Sequence, residues 1–126
     1  MNNKKCKISD AEWLVIKILW KEPQLTSTQI IENLSSKTDW KPKTIHSLIN
    51  RLVNKGALGV NKEGPQFKFY PLLNKNDYVM EETKSFIKKV YDGSVNLMIS
   101  NFINNKSLSK NEIEELQRLL DEGMKK

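Results

Sequence analysis

The side chains best placed to do chemistry in this sequence are concentrated in one short segment, and they suit hydrogen bonding and charge rather than bond making. Between Lys41 and Lys55 there are four Lys/Arg and no acid. On a helical wheel Lys43, Ser47, Asn50, Arg51 and Asn54 lie on one side, with Thr44 and His46 at its margins. Ile45, Leu48, Ile49, Leu52 and Val53 lie opposite. Short polar groups can meet base edges and cations can meet phosphates, provided that an apolar inner face anchors the helix. Lys41, Lys43, Thr44, His46, Ser47, Asn50 and Arg51 are therefore the candidate DNA-reading residues. The plain alternative is an amphipathic surface helix whose charges are merely solvated. His46 has its own alternative as a half-buried edge residue, since a neutral imidazole adds little attraction for phosphate.

Other chemistries find little support. With Cys6 and His46 the sole residues of their types, neither a disulfide framework, a multi-cysteine metal site nor a histidine cluster can form within the chain. Cys6 reads as a free thiol. The adjacent carboxylates Glu81-Glu82 and Glu114-Glu115 fall on polar helix faces, where solvation accounts for them. There is no nucleophile elbow and no phosphate-cradling glycine loop. The expectation is a non-enzymatic protein without metal or cofactor. No apolar run approaches the roughly 20 residues that span a bilayer, and Met1 to Lys7 leads into Ile8-Ser9-Asp10 rather than an apolar signal core. A cytoplasmic protein without membrane insertion is expected.

Charge is distributed unevenly along the 126 residues, whose net value is +6. Residues 1–72 hold twelve Lys/Arg against six Asp/Glu, whereas residues 73–126 hold nine of each. The whole excess belongs to the first part, which implies a polyanionic partner there and a different task for the second.

The elements that must position the basic segment can be read in order. Ser9-Asp10-Ala11-Glu12 is a capping box opening a first helix, with Trp13, Ile16 and Trp20 on one stripe, widened by Val15 and Leu19, that ends near Pro23. Thr26-Ser27-Thr28 offers caps for a short second helix carrying Ile30, Ile31 and Leu34. Pro42 suits the first position of the third helix and Gly56 a left-handed stop after it. Ala57 to Val60 and Gln66 to Tyr70 read as strands joined by Asn61-Lys62-Glu63-Gly64-Pro65. Phe67 and Phe69 then share one face, with Lys68 and Tyr70 on the other. Helix, helix, basic helix and hairpin is the order of a winged helix-turn-helix, in a chain that is mainly α. Lys62 and Lys68 on the wing can reach the backbone of the neighbouring groove or simply be solvated. Trp13 and Trp20 read as core; Trp40 either packs under the third helix or approaches the DNA backbone.

Pro71 and Asn74-Lys75-Asn76-Asp77 mark a boundary, giving a DNA-binding domain over 1–72 and a helical dimerisation domain over 73–126. A helix from Tyr78 to Tyr91 stops at Asp92-Gly93. Another carries Val95, Met98, Ile99, Phe102 and Ile103, and a second capping box, Ser109 to Glu112, opens a last one. Three helices in about fifty residues make a poor core alone, so a two-fold partner is expected. Phe86, Val90, Val95, Met98, Ile99, Phe102, Ile113, Leu116, Leu119 and Leu120 are the candidate dimerisation residues.

Several segments resemble the BlaI/MecI penicillinase-repressor family: Ile8 to Trp13, Trp40 to Ile45, Arg51 to Leu58, Lys84-Ser85-Phe86, Val90 to Gly93, Asn101-Phe102 and Glu112 to Leu116. The resemblance covers nearly the whole chain. It implies a homodimeric repressor on a palindromic operator with TACA-type half-sites, upstream of β-lactam resistance genes. It also implies inactivation by proteolysis at Asn101-Phe102, triggered by a membrane β-lactam sensor. The family commonly has Arg where this chain has His46, and the C-terminal cysteine motifs of its copper-responsive members do not occur. The alternative from the residues themselves is a dimeric protein-interaction module that binds an acidic protein partner.

Overall fold

The computed structural model describes residues 7–125, so Cys6 lies outside the described residues. Their order is α1 (Asp10–Lys21), β1 (Leu25–Thr26), α2 (Ser27–Ser35), α3 (Pro42–Asn54), β2 (Leu58–Asn61), β3 (Lys68–Pro71), α4 (Lys75–Tyr91), α5 (Val95–Asn104) and α6 (Lys110–Met124). The chain divides into two compact units, one ending at Tyr78 and the next starting at Val79.

Local chemistry sets the ends of the first three helices. The capping box of α1 is formed: Glu12 N donates to Ser9 Oγ at 3.2 Å and Ser9 N donates to Glu12 Oε1 at 2.9 Å. Thr26 and Gln29 make the same reciprocal pair at the start of α2. Each such cap contributes about 1 kcal/mol by satisfying helix N–H groups that lack intrahelical partners. Pro42 occupies the first turn of α3, and Gly56 follows it with φ +83°. Only glycine adopts that conformation without steric cost.

These helices bury one continuous cluster. Val15, Ile16 and Leu19 of α1 meet Ile30 and Leu34 of α2 and Ile45, Ile49 and Leu52 of α3, closed by Leu25, Ala57 and Leu58. Trp13, Trp20 and Trp40 are half-buried against it, which makes Trp40 a packing residue. Trp20 Nε1 donates to the carbonyl of Leu73 at 3.1 Å, and the Trp13 ring lies 5.4 Å from that of Tyr78. Leu73 and Tyr78 belong to the same cluster, so the first unit extends beyond residue 72. The polar residues 74–77 look like a linker because their side chains are solvated. In fact α4 begins there, with Asp77 N donating to Asn74 Oδ1.

The sheet has the order β1-β3-β2, both pairs antiparallel. β1 is two residues long and is recognisable only through its pairing of Leu25 with Phe69. The hairpin is narrower than the alternation of Phe67 and Phe69 suggests. Its last pair is Asn61 with Lys68, leaving Phe67 in the loop. Phe69 is half-buried against the core while Phe67 is 52% exposed, so the two do not share a sheet face. Gly59 sits under the Tyr70 ring, where any β-carbon would overlap it.

In the second unit, Asp92 (φ 52°) and Gly93 (φ 87°) turn the chain after α4. Ser94 caps α5, and Ser109 with Glu112 forms the capping box of α6. Neither α5 nor α6 has a buried residue, and Ile87 is the buried apolar residue of α4 beyond the boundary. Among the described residues no helix is long and apolar enough to cross a membrane.

Candidate nucleic-acid interface

The helix that carries the basic segment is fastened from within. Ile45 and Leu52 are fully buried and Leu48 and Ile49 nearly so, which fixes α3 both in position and in rotation about its axis. The opposite face is then solvent-facing by geometry. Lys41, Lys43, Thr44, His46, Ser47, Asn50 and Arg51 are all exposed, a single continuous polar surface of the kind the wheel predicts.

The cations on that surface are unengaged. Among the described residues the ion pairs are Lys55 with Glu12 and Arg118 with Glu115. Lys41, Lys43 and Arg51 are therefore exposed cations that form no ion pair with a carboxylate of the described residues. An unpaired cation on a rigid helix is poised to displace the counterions of a phosphate backbone. Lys62 and Lys68 on the wing are exposed in the same unit.

Lys55 departs from this pattern, and the local spacing gives no hint of it. Its Nζ donates to Glu12 Oε1 and, at 2.6 Å, to the carbonyl of Lys7. Glu12 is 1% exposed. Burial pushes its carboxyl up, but hydrogen bonds from Lys55 and Ser9 together with the Lys55 charge outweigh this and hold it below its ordinary value of 4.5. The pair joins the C-terminal cap of α3 to the N-terminal turn of α1, bridging two helices that are far apart in sequence. Of the four cations in 41–55, this one secures the scaffold.

Phe67 is the other residue that sequence periodicity misassigns. Its ring lies outside the sheet, with Lys62 Nζ 5.6 Å from the ring centroid. The loop between them is shaped by Asn61, whose Oδ1 accepts from Glu63 N at 3.0 Å, and by Gly64 at φ +89°.

The residues expected at a self-association surface are placed on α4, α5 and α6. Phe86, Val90, Val95, Phe102, Leu119 and Leu120 are exposed, and Met98, Ile99, Ile113 and Leu116 are half-buried. Asn101 is exposed on α5 and its Nδ2 donates to the Tyr91 hydroxyl at 3.2 Å. No group of three or more His, Cys, Asp or Glu able to hold a metal occurs among the described residues.

Comparison with known proteins agrees with this architecture. Residues 8–122 match the penicillinase repressor family model. The chain is 40% identical over 116 residues to the penicillinase repressor of Bacillus licheniformis, spanning 92% of this chain and 91% of that protein. It is likewise 40% identical over 121 residues to the methicillin resistance regulatory protein MecI of Staphylococcus aureus strain N315, spanning 96% and 98%. A solved structure, the monomeric form of B. licheniformis BlaI in complex with the blaP half-operator, superposes with a TM-score of 0.52 at 42% identity, over 57% of this chain and 88% of that one. With a family match from the first capping box to the last helix, on a winged helix whose outer face is cationic, the chain belongs to the penicillinase repressor family.

Proposed function

We propose that the protein is a transcriptional repressor that binds duplex DNA as a homodimer, at a palindromic operator with TACA-type half-sites that controls β-lactam resistance genes. The observation that carries this reading is the exposed, unpaired cationic and polar face of α3 on a firmly packed helix. In a winged helix-turn-helix this is the element that enters the major groove. Ser47 and Asn50 offer hydrogen-bonding groups to base edges, and Lys41, Lys43 and Arg51 offer charge to phosphates, with Thr44 and His46 flanking them. Lys62 and Lys68 reach the backbone beyond.

Homodimerisation is supported by the second unit, in which Phe86, Val90, Val95, Phe102, Leu119 and Leu120 remain exposed. Exposed apolar surface of this kind is characteristic of interaction faces. Linking two half-site readers makes the second binding event intramolecular, which is the source of operator affinity. Release then follows from cutting between Asn101 and Phe102 by a pathway under a membrane β-lactam sensor. The bond lies within helix α5, so it must open locally before a protease can extend the chain across its active site. The cut severs α6 and part of the apolar face from the rest, and with them the link between half-sites.

Footprinting on the DNA flanking the protein's own gene tests the reading. Protection of a two-fold site is expected. An absence of any protected site, or a complex with an acidic protein that competing duplex leaves unaffected, would reject it.

A further inference from the structure

We infer that Phe67 is a positioning residue for DNA binding: its ring holds the Lys62 ammonium at the wing, ready to meet a backbone phosphate. The inference rests on the DNA-binding reading above and adds to it a residue whose side chain has no donor or acceptor and which core packing does not explain.

Four observations converge. Phe67 is 52% exposed and lies outside both the paired strands and the core cluster, so the fold gains little from burying it. Lys62 Nζ stands 5.6 Å from its ring centroid, within the distance at which an aromatic face attracts a cation. Lys62 also forms no ion pair among the described residues, although Glu63 is its neighbour in sequence. The wing backbone is braced beside it by the Asn61 side chain, which accepts from Glu63 N and donates to Gln24 Oε1 at 3.3 Å.

A lysine on an exposed loop loses side-chain freedom when it docks on a phosphate, and this opposes binding. A ring that already holds the ammonium reduces that loss. It does so without neutralising the charge, because the ring face attracts the cation from one side and leaves N–H groups on the other for the phosphate oxygens. A carboxylate in the same place would hold the lysine equally well but cancel its attraction for DNA. This role accounts for the exposed Phe67 ring at the wing of a unit whose other described aromatic side chains are all buried or half-buried.

The test uses the full chain and a fluorescently labelled duplex carrying two inverted TACA half-sites, titrated at several salt concentrations. Lys62→Met should weaken binding and flatten the salt dependence, since fewer counterions are released. Phe67→Leu keeps apolar bulk but removes the aromatic face. It should weaken binding by about two- to five-fold per half-site, while Phe67→Trp restores wild-type affinity. In the Lys62→Met background, Phe67→Leu should have no further effect. Thermal melting of all variants should match that of the wild type. Full affinity in Phe67→Leu, or losses that add independently in the double variant, would overturn the assignment while leaving DNA binding intact. If the wild-type chain binds no duplex, while still melting cooperatively, both this assignment and the reading beneath it fail.

Discussion

The two units of this chain treat their apolar residues in opposite ways. In the first, Val15, Ile16, Leu19, Ile30, Ile45 and Leu52 are completely or almost completely hidden, although the sheet is only three short strands. In the second, Phe86, Val90, Val95, Leu119 and Leu120 remain about half exposed on helices whose caps and turns are well formed. Good local structure without a closed core is the state that the proposed self-association would complete. The first unit is finished by itself and leaves its charged face unpaired; the second has balanced charge and leaves its apolar face uncovered. One composition has been sorted into a unit with an exposed cationic face and a unit with exposed apolar side chains.

That contrast can be broken most forcefully in the first unit. Leu52→Ala removes a fully buried side chain from the cluster that the three helices build, and should cost about 2–5 kcal/mol, read as a lowered unfolding midpoint in denaturant. The same measurement on a chain carrying Leu120→Asp should show little intrinsic loss for the isolated monomer at low concentration. Its effect should instead appear in self-association. Sedimentation equilibrium should give a dimer weakened by roughly 2 kcal/mol or more per substituted side chain, the scale of a central interface residue. A wild-type chain that sediments as a monomer at all concentrations would remove the contrast at its second half.

The Glu12–Lys55 pair sharpens the account within the first unit. Lys55→Met leaves a buried carboxylate without its cation and should cost about 1–3 kcal/mol. Because the Glu12 carboxyl is held below 4.5 in the folded chain, its contribution is fully present above the unfolded value. It is lost as the pH falls through the lowered folded value. Stability plotted against pH should therefore decline on the acid side below about 4.5, and Glu12→Gln should flatten that decline. Arg51→Ala gives the smallest and most specific effect. Folding should be unchanged, and the slope of log affinity against log salt should fall in magnitude by about 0.9 for each phosphate that the variant no longer neutralises.

How far the sequence alone reaches depends on the range of the interactions involved. Helix α3 is legible because its signals are local: a proline at the start, a glycine after the end and a strong helical period between them. The candidate reading residues follow from that period, and the structure exposes every one of them. Strand β1 is not legible, since two residues have no period and Leu25–Thr26 is a strand only by pairing with β3. Glu12 has two roles of which only one is local. The capping box with Ser9 can be read three residues away, whereas its partner Lys55 lies 43 residues further on. Phe67 alternates with Phe69 as a strand residue should, but the ladder stops at Lys68 and leaves it in the loop. The boundary between the units lies later than the polar residues 74–77 suggest for a similar reason, because Leu73 and Tyr78 are drawn into the first core by Trp13 and Trp20 across the fold.

The central claim is that one unit reads a half-site while the other joins two readers. It is tested most directly by measuring the affinity of the intact chain for a duplex with two inverted half-sites and for the same duplex with one half-site scrambled, at one fixed salt concentration. The account predicts that the two-site duplex binds at least about 100-fold more tightly, with a stoichiometry of two chains per duplex. Equal affinity for the two duplexes, or one chain bound to each, would contradict it.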